Sequence, residues 1–147
     1  MMMKVVVDTN VAISGLLWHG PPNQILRWAR DGILRIIGCE RTVSELNKVI
    51  RYKKFANRLS TLNTEPAEVF AYFMNLVFFV PTPEFVPELI REDPFDNIFL
   101  AVASENNVAL IISGDSHLLN LKEYKGIQIV IPSEACEVIE TVSANDF

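Results

Sequence analysis

Two aspartates in this chain stand at the ends of branched aliphatic runs. Asp8 closes Val5-Val6-Val7 and is followed by Thr9-Asn10, and Asp115 follows Val108 to Ile112 through Ser113-Gly114. Two more, Asp93 and Asp96, flank Pro94-Phe95 ahead of an apolar helical pattern. Taken singly, each acid also suits a helix cap or a partner for a helix dipole. Taken together they imply a shared site, because carboxylates within a few ångströms repel one another and raise each other's pKa unless a cation compensates. Hard oxygen ligands without His or Cys point to Mg²⁺ or Mn²⁺ in place of zinc. Such ions lower the pKa of water and clamp a phosphodiester between two metals about 3.5 to 4 Å apart. Phosphodiester hydrolysis is the natural chemistry of that donor set.

The elements that must position these acids are readable in order. Lys4 to Val7 is an extended strand, apolar on both faces as in a buried parallel sheet, with Asp8 at its carboxyl end, where ligands of open α/β sheets bind. Asn10 to Leu17 suits a short helix. Gly20-Pro21-Pro22 breaks the chain before a second helix that ends at Asp31-Gly32. Leu34 to Gly38 predicts a second strand. A helix opening near Thr42 carries Val43, Leu46, Val49 and Ile50 at helical spacing, with Glu45 beside that stripe. A basic helix over Lys53 to Leu62 and an aromatic one after Thr64-Glu65-Pro66 lead to a third strand, Val77 to Val80. A proline-bearing surface connection, Pro81 to Pro87, precedes Asp93, which is expected to cap a helix whose first residue is Pro94. Val108 to Ile112 and Ile127 to Ile131 predict strands four and five. Leu118-Leu119 suits a helix between them, and Ser133 to Ile139 a closing helix with frayed residues beyond it. Alternation of strands and helices gives a three-layer α/β/α sandwich around a mostly parallel sheet of about five strands.

At 147 residues, half of them hydrophobic, the chain is expected to form one domain that buries about 70% of its unfolded surface. Cys39 and Cys136 lack the spacing of a disulfide framework or zinc site and are expected as buried free thiols. The Met-Met-Met-Lys start has no long apolar core, so a cytoplasmic location is expected. Val69 to Val80, the most apolar stretch, is too short to cross a membrane. Its aromatics Phe70, Tyr72, Phe73, Phe78 and Phe79 are expected in the core, the alternative being a partner surface such as a homodimer face. The net charge is −5, yet Arg27 to Arg58 holds nine of the thirteen Lys and Arg against three acids. A basic region on an acidic body suits a polyanion that is also held through cations, or else a solvated helical face. Arg41, Lys48, Arg51, Lys53 and Lys54 are the residues expected to meet that polyanion, which the family resemblance given below makes RNA.

Asp8-Thr9-Asn10-Val11, Thr42-Val43-Ser44-Glu45-Leu46, Asp93-Pro94-Phe95-Asp96-Asn97-Ile98-Phe99-Leu100-Ala101 and Ser113-Gly114-Asp115-Ser116-His117-Leu118-Leu119 together resemble a PIN domain. The match runs in the family's order from Lys4 to about Glu137, and it is nearest to the toxin components of prokaryotic toxin–antitoxin pairs. The resemblance implies a metal-dependent ribonuclease, often dimeric and inhibited by a small antitoxin. It makes Asp8, Glu45, Asp96 and Asp115 the acidic quartet around Mg²⁺ or Mn²⁺, with Asp93 as an accessory ligand. Asn10 and Ser113 take the polar positions that orient ligands or water, and Asn97 is a further candidate beside its reading as an exposed helix residue. Glu40, near the end of the second strand, competes with Glu45 for the second acid. His19 and His117 read as loop or capping residues, although His117 is close enough to Asp115 to serve as an acid or base.

Two other function classes fit parts of the chain. A haloacid-dehalogenase-type phosphohydrolase also begins with a strand and an aspartate, but this chain has Asn10 where that class wants a second acid, and it offers no clear lysine partner. A non-catalytic RNA-binding or protein-interaction domain of the same fold would keep the acids for stability or metal binding alone.

Overall fold

A computed structural model describes residues 2–145. Six strands form one sheet: β1 (Met3–Val7), β2 (Leu34–Gly38), β3 (Val77–Phe79), β4 (Leu110–Ile112), β5 (Glu123–Tyr124) and β6 (Ile127–Val130), in the order β3-β2-β1-β4-β6-β5. All neighbours are parallel except β5 and β6. The sequence pattern misses β5, because two residues are too few to show an alternation. Its cue is the Lys125-Gly126 turn, where both residues take positive φ, at 49° and 82°, as a tight hairpin requires.

Eight α-helices connect and cover the strands: α1 (Thr9–Leu17), α2 (Pro21–Arg30), α3 (Glu40–Val49), α4 (Ala56–Thr61), α5 (Pro66–Leu76), α6 (Asn97–Glu105), α7 (Ser116–Leu119) and α8 (Pro132–Asn145). Two 3₁₀ turns, Lys53–Phe55 and Pro94–Asp96, precede α4 and α6. The α3 helix starts at Glu40, two residues before Thr42, and the Thr42 hydroxyl accepts from the Cys39 N–H at 3.0 Å as part of its N-terminal cap. The closing helix runs on to Asn145, past the expected Ile139, and the frayed end falls outside the described residues.

Alternation along the strands divides the core in two. Val5 and Val7 of β1, Ile36 of β2 and Ile112 of β4 pack with α1, α2, α3, α5 and α8, while Val6, Ile37, Ile111 and Ile129 pack with α6 and α7. Both sheet faces are thus dry, which is why the strands read as unbroken apolar runs.

The expected burial of the aromatics holds only in part. Phe73 is buried and Phe70 packs at the edge of the core, but Tyr72, Phe78 and Phe79 are exposed, the last two by 48% and 45%. For Phe78 and Phe79 the reason is topological: β3 is one of the sheet's two edge strands, so its flanks lack a covering layer. The Arg35 guanidinium lies over the Phe78 ring, 4.8 Å from its centroid. Cys39 is buried as expected, whereas Cys136 is only half-buried, at the outer layer where α8 meets Pro21.

Candidate metal centre

The site forms where strands end. Val7 of β1 pairs with Ile112 of β4, so Asp8 and Ser113 emerge side by side at the carboxyl edge of the sheet. Asp8 is 3% exposed and caps α1, its Oδ1 accepting from the Val11 N–H at 2.8 Å. Its Oδ2 accepts from the Ser113 hydroxyl. Ser113 in turn accepts from the Asp115 N–H at 2.9 Å, and Asp115 caps α7 by accepting from the His117 N–H at 2.7 Å. One buried serine therefore ties together the two acids that end β1 and follow β4.

Asp96 arrives from a third direction, on the 3₁₀ turn ahead of α6, and is 8% exposed. Oxygens of Asp93, Asp96 and Asp115 lie within 4.8 Å of one another. Asp93 opens that turn without capping it: no side-chain hydrogen bond to the turn forms, which leaves its carboxylate turned to the cluster. A cavity of about 200 Å³ is lined by Asp8, Glu45, Asp93, Asp96 and Asp115 together with Asn10 and Lys54. Glu45 of α3 thus lines the cavity of the acids but is not in the group of three whose oxygens converge, while Glu40 lines only the adjoining open cavity beside Arg41.

Electrostatics mark this cluster as incomplete without positive charge. Burial pushes the Asp96 carboxyl up to about 7, and the charges of Asp93, Asp115 and Asp8 push in the same direction. Burial also raises Asp8 above the usual carboxylate range, against the lowering effect of the hydrogen bonds from Ser113 and Val11. The Asp96 Oδ2 is buried without a hydrogen-bond partner among the described residues. An orphaned carboxylate oxygen is costly unless something pairs with it. A divalent cation with oxygen ligands fits: it would satisfy that oxygen and lower the pKa of every acid around it.

Other candidates divide. Asn10 is exposed at the cavity rim. Asn97 is neither exposed nor aimed at the acids. Its Oδ1 accepts from the N–H groups of Ile90 and Leu89 at 2.9 and 3.2 Å, and its Nδ2 donates to the carbonyls of Ile90 and Pro94, so it clamps the irregular segment before Asp93 onto α6. Among the basic residues, Lys54 lines the carboxylate cavity, Arg41 and Lys48 the adjoining one, and Arg51 a third; Lys53 is exposed on the 3₁₀ turn before α4. His19 is exposed, and His117 Nδ1 lies 3.9 Å from a Glu92 carboxylate oxygen; neither histidine lines the carboxylate cavity. Sequence reading passed over Tyr52, which also lines the carboxylate cavity. No local pattern signals it, because α3 ends at Val49 and Tyr52 is an extended residue in the bend before the 3₁₀ turn.

Acids gathered beyond the carboxyl edge of a parallel sheet form a candidate divalent-cation site of the kind that suits phosphodiester chemistry. The family profile of the PIN domain matches residues 4–117, and the chain belongs to the PIN domain family. This places it among PIN-type nucleases and sets aside the haloacid-dehalogenase-type reading. The fold is similar to a chain in the crystal structure of VapBC2 from Rickettsia felis bound to a DNA fragment from their promoter. The TM-score is 0.57 over 86% of this chain and 97% of that one, at 15% identity. No curated protein matches the sequence.

Proposed function

We propose that the protein, as one nuclease domain, is a Mg²⁺- or Mn²⁺-dependent ribonuclease that hydrolyses RNA phosphodiester bonds, and that it is the toxin of a toxin–antitoxin pair. The observation that carries the chemistry is the buried, unpartnered Asp96 oxygen inside a cluster of acids. Asp8, Glu45, Asp96 and Asp115 are the ion's ligands in this reading, with Asp93 as an accessory. When bound, the ion supplies positive charge that polarises the phosphate and makes water acidic enough to yield a nucleophile near neutral pH. Ser113 donates to the Asp8 carboxylate and accepts from the Asp115 N–H, which ties the segments that carry the two acids to each other. Asn10 at the rim orients water or a phosphate oxygen. Arg41, Lys48, Arg51, Lys53 and Lys54 neutralise RNA phosphates on the approach, which reconciles a net charge of −5 with a polyanionic substrate.

Likeness in fold to the VapBC2 chain supports a small antitoxin as protein partner. The exposed Tyr72, Phe78 and Phe79 beside the outer strand offer an apolar face for that partner or for a second copy in a homodimer. Among the described residues no helix is long and apolar enough to cross a membrane, and cytoplasmic RNA is the substrate pool proposed.

Cleavage of a labelled structured RNA and a single strand in Mg²⁺ or Mn²⁺, against EDTA and Asp96→Asn, is the direct test. Cutting that needs both the ion and Asp96 is expected. Metal bound by an intact fold with no cutting of either RNA would overturn the enzymatic reading and favour a non-catalytic RNA-binding or protein-interaction domain.

A further inference from the structure

The carboxylate cavity does not stand alone. It shares Glu45 and Phe95 with an open neighbouring cavity of about 500 Å³, which Arg41, Lys48 and Thr82 also line. That volume lies in the range of about 300–1,000 Å³ of clefts that hold small organic groups. Phe95 is therefore the wall between the acids and this annex. Its ring is fixed from behind by an edge-to-face contact with Phe99, at 5.8 Å between centroids and 81° between planes. The Arg41 guanidinium stands over the same ring, 5.7 Å from its centroid.

A fixed aromatic face with a planar cation above it is the chemistry that grips a nucleobase. Bases stack on aromatic rings and on guanidinium planes, and arginine held by a ring loses little freedom in doing so. Lys48 lies seven residues beyond Arg41 on α3, about 10 Å along the helix and on the same side, and lines the same cavity.

We propose that Phe95 and Arg41 form a nucleobase pocket beside the metal centre, which takes the unstacked base of a nucleotide adjoining the scissile phosphate. The proposal rests on the ribonuclease reading. Its consequence is that the bond cut is chosen partly by whether its neighbouring base can leave the stack. A loop or single strand allows this at little cost, and a continuous duplex does not.

The test is a double-mutant cycle in which one mutation is in the protein and the other in the RNA. A short single-stranded RNA is made with an abasic nucleotide at each position in turn. Its affinity is read by fluorescence anisotropy in Ca²⁺ for the wild type, Phe95→Leu and Phe95→Trp. Leucine keeps apolar bulk against Phe99 and removes the aromatic face, and tryptophan keeps that face. At one position, removal of the base is expected to weaken wild-type binding by about 5- to 100-fold. The same removal is expected to cost the leucine variant less than about 2-fold, and the tryptophan variant again shows the full loss. Penalties that multiply independently at every position would overturn the pocket. The readout needs no cleavage. Coupling at one position without cutting in Mn²⁺ would therefore uphold the pocket and overturn the nuclease reading, whereas cutting without coupling does the reverse.

Discussion

Asp96 is the residue on which the site turns, because the protein holds it against its own electrostatics. Its ordinary pKa is 3.8 and the folded value is pushed up to about 7. The folded state therefore binds a proton more tightly than the unfolded chain, and the sign of the linkage follows. For the metal-free protein, the contribution of Asp96 is fully present below about pH 4 and is lost as pH rises towards 7 and beyond. Asp8, also raised, adds in the same direction. Thermal melts in EDTA are expected to fall between pH 5 and pH 8, on the order of 2 kcal/mol in unfolding free energy, and Mg²⁺ or Mn²⁺ is expected to restore the loss at pH 8 far more than at pH 5. A metal-free melting curve that rises across that range would contradict the assignment. Asp96→Asn removes the uncompensated charge. At pH 8 without metal it is expected to match or exceed the wild type by about 1–3 kcal/mol, while its cleavage rate falls at least about 100-fold. Ser113→Ala acts oppositely on stability. It strips Asp8 Oδ2 and the Asp115 N–H of their shared partner, and a loss of about 1–3 kcal/mol is expected in urea titrations.

Elements bring these residues into range, and they do so through close contacts that tolerate little change. The first two helices pack tightly enough that a Cβ at Gly15 would stand 2.8 Å from the Pro22 carbonyl oxygen and 2.8 Å from Leu26 Cδ1. The leucine could turn aside but the carbonyl belongs to the backbone. Gly15→Ala is therefore expected to destabilise by about 1–3 kcal/mol in a denaturant titration. Since α1 begins at the Asp8 cap, a shifted α1 is expected to weaken metal affinity as well, read by calorimetry with Mn²⁺. Asn97 has the same kind of importance on the other side of the cluster. Three of its four hydrogen bonds attach the segment before Asp93 to α6 and the fourth holds the Pro94 carbonyl, so the position that looked like an exposed helix residue instead supports the turn from which Asp93 and Asp96 project.

Across the whole molecule, charge is segregated. Arg27 to Arg58 is strongly basic in a chain of net −5, and its residues from α3 to the turn before α4 border the carboxylate cavity and its neighbours. In the ribonuclease reading, this steers a polyanionic substrate to one side of an otherwise repulsive body. Affinity for single-stranded RNA in Ca²⁺ is expected to fall linearly with log salt, and Lys48→Ala and Lys54→Ala are each expected to lower that slope by about 0.7. Equal slopes in wild type and variants would place the RNA elsewhere.

Much of this was legible in the chain itself. Valine and isoleucine runs announce strands by their β-branched composition. An acid after such a run predicts a position at the sheet's carboxyl edge, and proline or glycine punctuation bounds the helices, because all of these are local properties of the backbone and its neighbours. Asp8, Asp93, Asp96 and Asp115 could be singled out on those grounds. Contacts between distant segments could not. Only parallel pairing of β1 with β4 sets Ser113 between Asp8 and Asp115, and only the path of α3 puts Glu45, and not Glu40, into the carboxylate cavity. The order of strands likewise leaves β3 on the outside, so that Phe78 and Phe79, apolar enough for any core, face outward. Hydrophobicity states what a residue would prefer to do; which strand has a neighbour on both sides is decided by the packing of the entire sheet.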